Sequence, residues 1–203
     1  MDNWRKNRWT IGYGITWAFI VVKALNIIPT VPGATSLHAL SQALTLPLEL
    51  VSVLVTFFIF LVLRHFKESP YILWAVCIFI AADLLLLLSG RHGPFSRLTL
   101  VAGMLSTLYY IICLFFVKAP EVSVHFRRLA MADILLLVTS GLYGAYALMH
   151  WPYQSTLKLL TSFLQLAPYI AVLFILQAMR RLDSNPMTSI EKDIASIGEP
   201  TLD

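Results

Sequence analysis

The stretch YILWAVCIFIAADLLLLL, Tyr71 to Leu88, decides the fold: in 18 residues its only charge is Asp83. At about 1.5 Å per residue, a helix of this length spans most of a hydrocarbon layer about 30 Å thick. Its apolar residues run continuously rather than in a stripe, so the helix has no face suited to water. Five similar runs flank it, approximately Trp9 to Ile28, Thr45 to Leu63, Leu98 to Val117, Leu129 to Met149 and Leu159 to Met179. The reading is an all-α polytopic membrane protein of six transmembrane helices, arranged as three helical hairpins with both termini cytoplasmic.

Composition agrees. The chain is 58% hydrophobic and 13% charged, with a mean hydropathy of +0.76, against roughly 25% charged residues in soluble domains. Little is left for a soluble domain. Residues 1–8 form a cytoplasmic N-terminus, 9–179 the membrane domain and 180–203 a short cytoplasmic tail. The formal charge of +4 carries no nucleic-acid signature, because the basic residues gather at span ends instead of forming one aromatic-interleaved face.

Those basic residues set the orientation. Eleven of the 15 lie on one side, at Arg5, Lys6, Arg8, Arg64, Lys67, Lys118, Arg127, Arg128, Arg180, Arg181 and Lys192. Arg91, Arg97 and Lys158 lie on the other, and Lys23 is inside the first span. Short cytoplasmic loops carry the Lys and Arg excess, so the rich side is expected to face the cytoplasm of an inner (plasma) membrane. Trp4, Trp9, Tyr71 and Trp74 then fall at the inner interface, and Trp151 and Tyr153 at the outer one. The first run is too long for a signal-peptide core and is interrupted by Lys23, so it reads as a retained span. Cys77 and Cys113 lie within spans, where they act as small reduced apolar groups.

Proline marks every outer turn, at Pro29 and Pro32, Pro94 and Pro152, as its missing amide donor suits. A histidine stands near each: His38, His92 and His150. This recurrence raises a triplicated hairpin, and the drift in spacing between the units argues against it. Ser36 to Leu44 reads as a helix lying on the membrane, with Pro47 opening the second span. Pro168 should kink the sixth span. Ser140, Gly141, Gly144 and Ala145 give the fifth span a small-residue face expected to pack closely on a neighbour. In the tail, Thr188 and Glu191 make a capping box ahead of Ile190, Ile194 and Ile197, predicting a short amphipathic helix over 188–197 that binds a surface or partner.

Ionisable residues inside spans cost several kcal/mol unless they are paired or wetted. Lys23, Glu49 and Asp83 lie roughly 7, 6 and 8 Å from the outer ends of their spans. One reading joins them as an ion or proton site, with one carboxyl keeping its proton through desolvation. The other lets Lys23 and Glu49 snorkel to the headgroups, leaving Asp83 alone. Asp133 reads as a first-turn helix cap near Arg127 and Arg128, roughly 16 Å in depth from Asp83, too far for a shared-proton dyad.

His38, His92 and His150 form a possible outer polar site, without the carboxylates that would orient metal-bound histidines. His65 and His125 suit headgroup contact. No metal, cofactor or catalytic residue is assigned, because zinc-helix, nucleophile-elbow and phosphate-loop motifs are all missing. The functional expectation is a membrane-embedded subunit or partner-binding component, contacting lipid and a protein partner or a second copy of itself. Two others stand beside it: a small ion- or proton-coupled transporter or channel, and an intramembrane enzyme acting on lipid.

Overall fold

A computed structural model describes residues 2–27, 38–89, 96–149 and 154–184, and among these every regular element is an α-helix. The helices are α1 (Asp2–Ile27), α2 (His38–His65), α3 (Pro70–Ser89), α4 (Ser96–Phe115), α5 (Pro120–Met149), α6 (Gln154–Leu164) and α7 (Ala167–Ser184). Six spans are long and apolar enough to cross a membrane; α6 and α7 together supply the sixth.

From α1 to α6 each helix packs on its sequence neighbours, and α7 packs on α5, α1 and α2, so the spans close into a ring. Large apolar side chains turned outward, such as Leu85, Leu98, Ile112 and Val138, give the ring a lipid-compatible exterior. Inside, burial is lopsided. The fully enclosed apolar residues concentrate near the basic turns: Val62 and Leu63, Ala75 and Val76, Leu114, Val122 and Phe126, and Ile175, Leu176 and Met179.

Contacts across that end lock it. Arg8 Nη2 lies 3.1 Å from His65 Nδ1, the Arg180 guanidinium stands 4.8 Å from the centre of the Tyr13 ring, and Trp9 meets His65 edge-on at 5.9 Å. Trp9 is thus a core residue at 1% exposure, not the expected interfacial anchor, whereas Tyr71 and Trp74 do stay exposed. The α2–α3 turn closes α2 through bonds from Lys67 N to Arg64 O and from Glu68 N to Leu63 O, with Lys67 at φ 52°. This is the left-handed position that favours glycine. Lys67→Gly is therefore expected to raise stability by about 1 kcal/mol, readable as a higher melting temperature in detergent.

Three local expectations change. Among the described residues no separate surface helix precedes the second span, because α2 runs unbroken from His38 through Pro47 to His65. Proline removes one hydrogen bond there, and neighbouring helices in a membrane bundle tolerate the loss. The fifth span starts nine residues before its apolar run, at Pro120 instead of Leu129, so Arg127 and Arg128 are exposed helical positions and not loop. The small-residue face is open: a Cβ added at Gly141 or Gly144 meets nothing within 4 Å.

Gly12 is the opposite case, since a Cβ there would come within 2.7 Å of the Phe58 ring. Gly12→Ala is expected to cost about 1–3 kcal/mol through overpacking, while Gly144→Ala should be neutral or stabilising. Thermal unfolding of the two variants side by side checks both.

Candidate functional site

Between the helices lies a cavity of about 450 Å³ bordered by Lys23 of α1, Ser52 and Thr56 of α2, Asp83 of α3, Tyr110 of α4, Asp133 of α5 and Tyr169 of α7. Buried Val55, Ile59, Tyr110, Leu129 and Val172 line it and lead into the core at the basic turns, so the cavity is closed on that side. Toward the opposite end, Ile27 is the only buried apolar side chain among the described residues.

Lys23 does not snorkel. Its ammonium lies 5.4 Å from the Phe19 ring centre and 4.7 Å from that of Tyr169, and these rings meet edge-on at 4.6 Å. Phe19 is one turn nearer the basic end, so the lysine stem runs back along α1, as helical side chains lean toward the N-terminus. Cation–π attraction is worth about 2 kcal/mol when water is excluded, enough to hold the ammonium in place. Glu49 is exposed, yet it acts through charge on both Lys23 and Asp83. Of the three residues grouped by depth, Lys23 and Asp83 border the cavity, and Glu49 influences it from outside the lining.

Asp133 is the member that span edges misplaced. It is the fourteenth residue of α5, while the first helical turn carries Glu121, so the helix-cap reading is corrected. Its Oδ2 is enclosed and has no hydrogen-bond partner. Asp83 of α3 and Asp133 of α5 border the same cavity.

The cavity coincides with the interruption of the sixth span. Gln165 and Leu166 form a turn, with Leu166 N bonding back to Phe163 O at 3.0 Å. Pro168 has no N–H to offer the Leu164 carbonyl four residues back. Gln165, Pro168 and Tyr169 all line the cavity. Irregular backbone at membrane depth is stable where it borders a polar space rather than lipid.

Several hydroxyls in the lining serve their own helices. Ser52 donates to Glu49 O at 2.7 Å, Thr56 to Ser52 O at 3.1 Å and Thr107 to Gly103 O at 2.8 Å. Their remaining capacity is lone pairs, so together with the two aspartates they make the wall rich in acceptors.

A second hollow, about 500 Å³, lies at the basic end between α5 and α7, beside His125, Phe174 and Arg181. It contains no ionisable group from mid-span, and its place at the basic end suits headgroup contact. Cys77 and Cys113 are free thiols. His38 is the first residue of α2, whereas His92, His150 and the tail residues Ile190, Ile194 and Ile197 lie outside the described residues. Among the described residues, no group of three or more His, Cys, Asp or Glu side chains is placed to hold a metal. Compared with known protein families, curated proteins and solved structures, the chain matches none.

Proposed function

We propose that this protein is a small cation- or proton-coupled membrane transporter whose binding site is the central cavity. The observation that carries the reading is the convergence of Lys23, Asp83 and Asp133, from three different spans, on one space closed at one end. Ionisable groups inside a bilayer are costly, and where they face a polar cavity they mark ion and substrate paths. The interrupted sixth span adds support, because broken helices at mid-membrane are how many secondary transporters expose backbone to a bound ion.

In this reading the spans form three hairpins, both termini face the cytoplasm of a plasma membrane, and the cavity faces outward. The asymmetry of Lys and Arg supports that orientation. A role as an embedded subunit of a larger assembly draws on the missing catalytic motifs and on the tail beyond Ser184; the cavity gives coupled transport the stronger support.

The test is proton flux into proteoliposomes carrying an imposed pH gradient, followed with an internal pH dye. Wild-type protein should acidify or alkalinise the lumen well above empty vesicles, and Asp83→Asn should cut that rate by about tenfold or more, the scale of losing one buried charge. Flux that survives neutralising Asp83 and Asp133 together would refute the site.

A further inference from the structure

Building on the transport reading, we infer that the substrate is a small organic cation whose ammonium group sits between the Asp133 carboxylate and the aromatic rings of Tyr110 and Tyr169. Four observations lead there. Asp133 borders the cavity, and the Oδ2 of its carboxylate is enclosed with no hydrogen-bond donor, so the group is left with unmet acceptor capacity. The hydroxyls of Ser52, Thr56 and Thr107 have already given their protons to carbonyls of their own helices, so they too offer only lone pairs. A guest that donates hydrogen bonds and carries positive charge complements such a wall.

One ring of the lining, that of Tyr169, already holds an ammonium. Lys23 Nζ rests against Phe19 and Tyr169, so the chain itself shows which chemistry these rings accommodate. Tyr110, stacked on Phe79 at 4.5 Å, is held rigidly on the wall of the same cavity. An anion is a poor match, because Lys23, the one cation in the lining among the described residues, is engaged by the rings of Phe19 and Tyr169 and by the charge of Glu49.

Size separates an organic cation from a bare ion. About 450 Å³ is many times the roughly 30 Å³ share of one water molecule and falls within the range of about 300–1,000 Å³ typical of organic ligand sites. A hard metal ion would also need about six oxygens at fixed distances, whereas among the described residues no group of three or more His, Cys, Asp or Glu side chains is placed to hold one.

The experiment is isothermal titration calorimetry on the full-length protein in mild detergent. The probes are choline, ethylammonium and the carbon isostere of choline, in which an uncharged carbon replaces the nitrogen. At least one of the two cations should bind saturably, with the isostere at least about tenfold weaker, since a desolvated cation–π contact and a carboxylate partner are lost together. Asp133→Asn should weaken cation binding about tenfold or more. Tyr169→Phe, which keeps the ring, should bind nearly as wild type, and Tyr169→Leu should bind several-fold less.

Equal affinity for choline and its isostere would overturn the inference. So would the failure of both cations to bind while Asp133-dependent proton flux persists, an outcome that leaves the transport reading standing. If Asp133→Asn altered neither binding nor flux, the inference would fall, and flux that also survived the added Asp83→Asn change would take the transport reading with it.

Discussion

Asp133→Asn is expected to reduce gradient-driven flux in proteoliposomes to near the level of empty vesicles while leaving the purified protein monodisperse and as heat-stable as wild type, or more so. Asp133 borders the cavity, and its enclosed Oδ2 has no hydrogen-bond partner. An enclosed unsatisfied acceptor costs about 1–3 kcal/mol, and a carboxylate without a counter-charge costs more. A residue kept only for packing would lose stability on replacement. A residue kept for binding shows the reverse, because the strain it stores belongs to the function. Parallel uptake and thermal-unfolding measurements separate the two, and a variant that lost stability and kept transport would reverse the assignment.

Glu68→Ala should be the most destabilising single change in the turns at the basic end, by about 2–4 kcal/mol. Glu68 sits between α2 and α3, 8% exposed, and its Oε1 accepts from Lys118 N at 2.8 Å and Ala119 N at 2.7 Å. Ala119 precedes the first residue of α5, and its carbonyl accepts from Val122 and Ser123, so the carboxylate also lies against a helix N-terminus that favours negative charge. Alanine would leave two buried amides without an acceptor. Glu68→Gln keeps the acceptor and gives up the charge, so it should cost about 1 kcal/mol. Unfolding titrations in mixed micelles would rank alanine well below glutamine; equal effects would mean that the bond does not hold the turns together.

The membrane class was legible in the sequence because hydropathy over a whole span is a summed signal that no single residue can cancel. Pro168 was legible for a similar reason: a missing amide acts wherever the helix lies. Depth was not. Arg127 and Arg128 look like loop residues by charge, yet α5 continues through them, since arginines can leave an interfacial helix by one face while Phe126, Leu129 and Ala130 pack inward. That misreading placed Asp133 in a first helical turn and hid it from the site.

Lys23 and Asp83 were legible as charges within spans, but their shared cavity depends on how the ring of helices closes, which one-dimensional depth does not encode. Glu68 had no sequence signal beyond its turn, because its partners lie 50 and 51 residues away. The small-residue face of α5 misled in the other direction. Small side chains permit close packing, but they do not require it.

Accessibility of the cavity from one face of the membrane is the most direct test of the account. With Cys77 and Cys113 replaced by alanine, a single cysteine at Thr107 or Ser140, both on the cavity wall, would be challenged with a membrane-impermeant thiol reagent from each side in turn. The account predicts labelling only from the face opposite the turn that carries Lys118. Labelling from that turn's own side, or from neither side in vesicles where a control cysteine reacts, would contradict it.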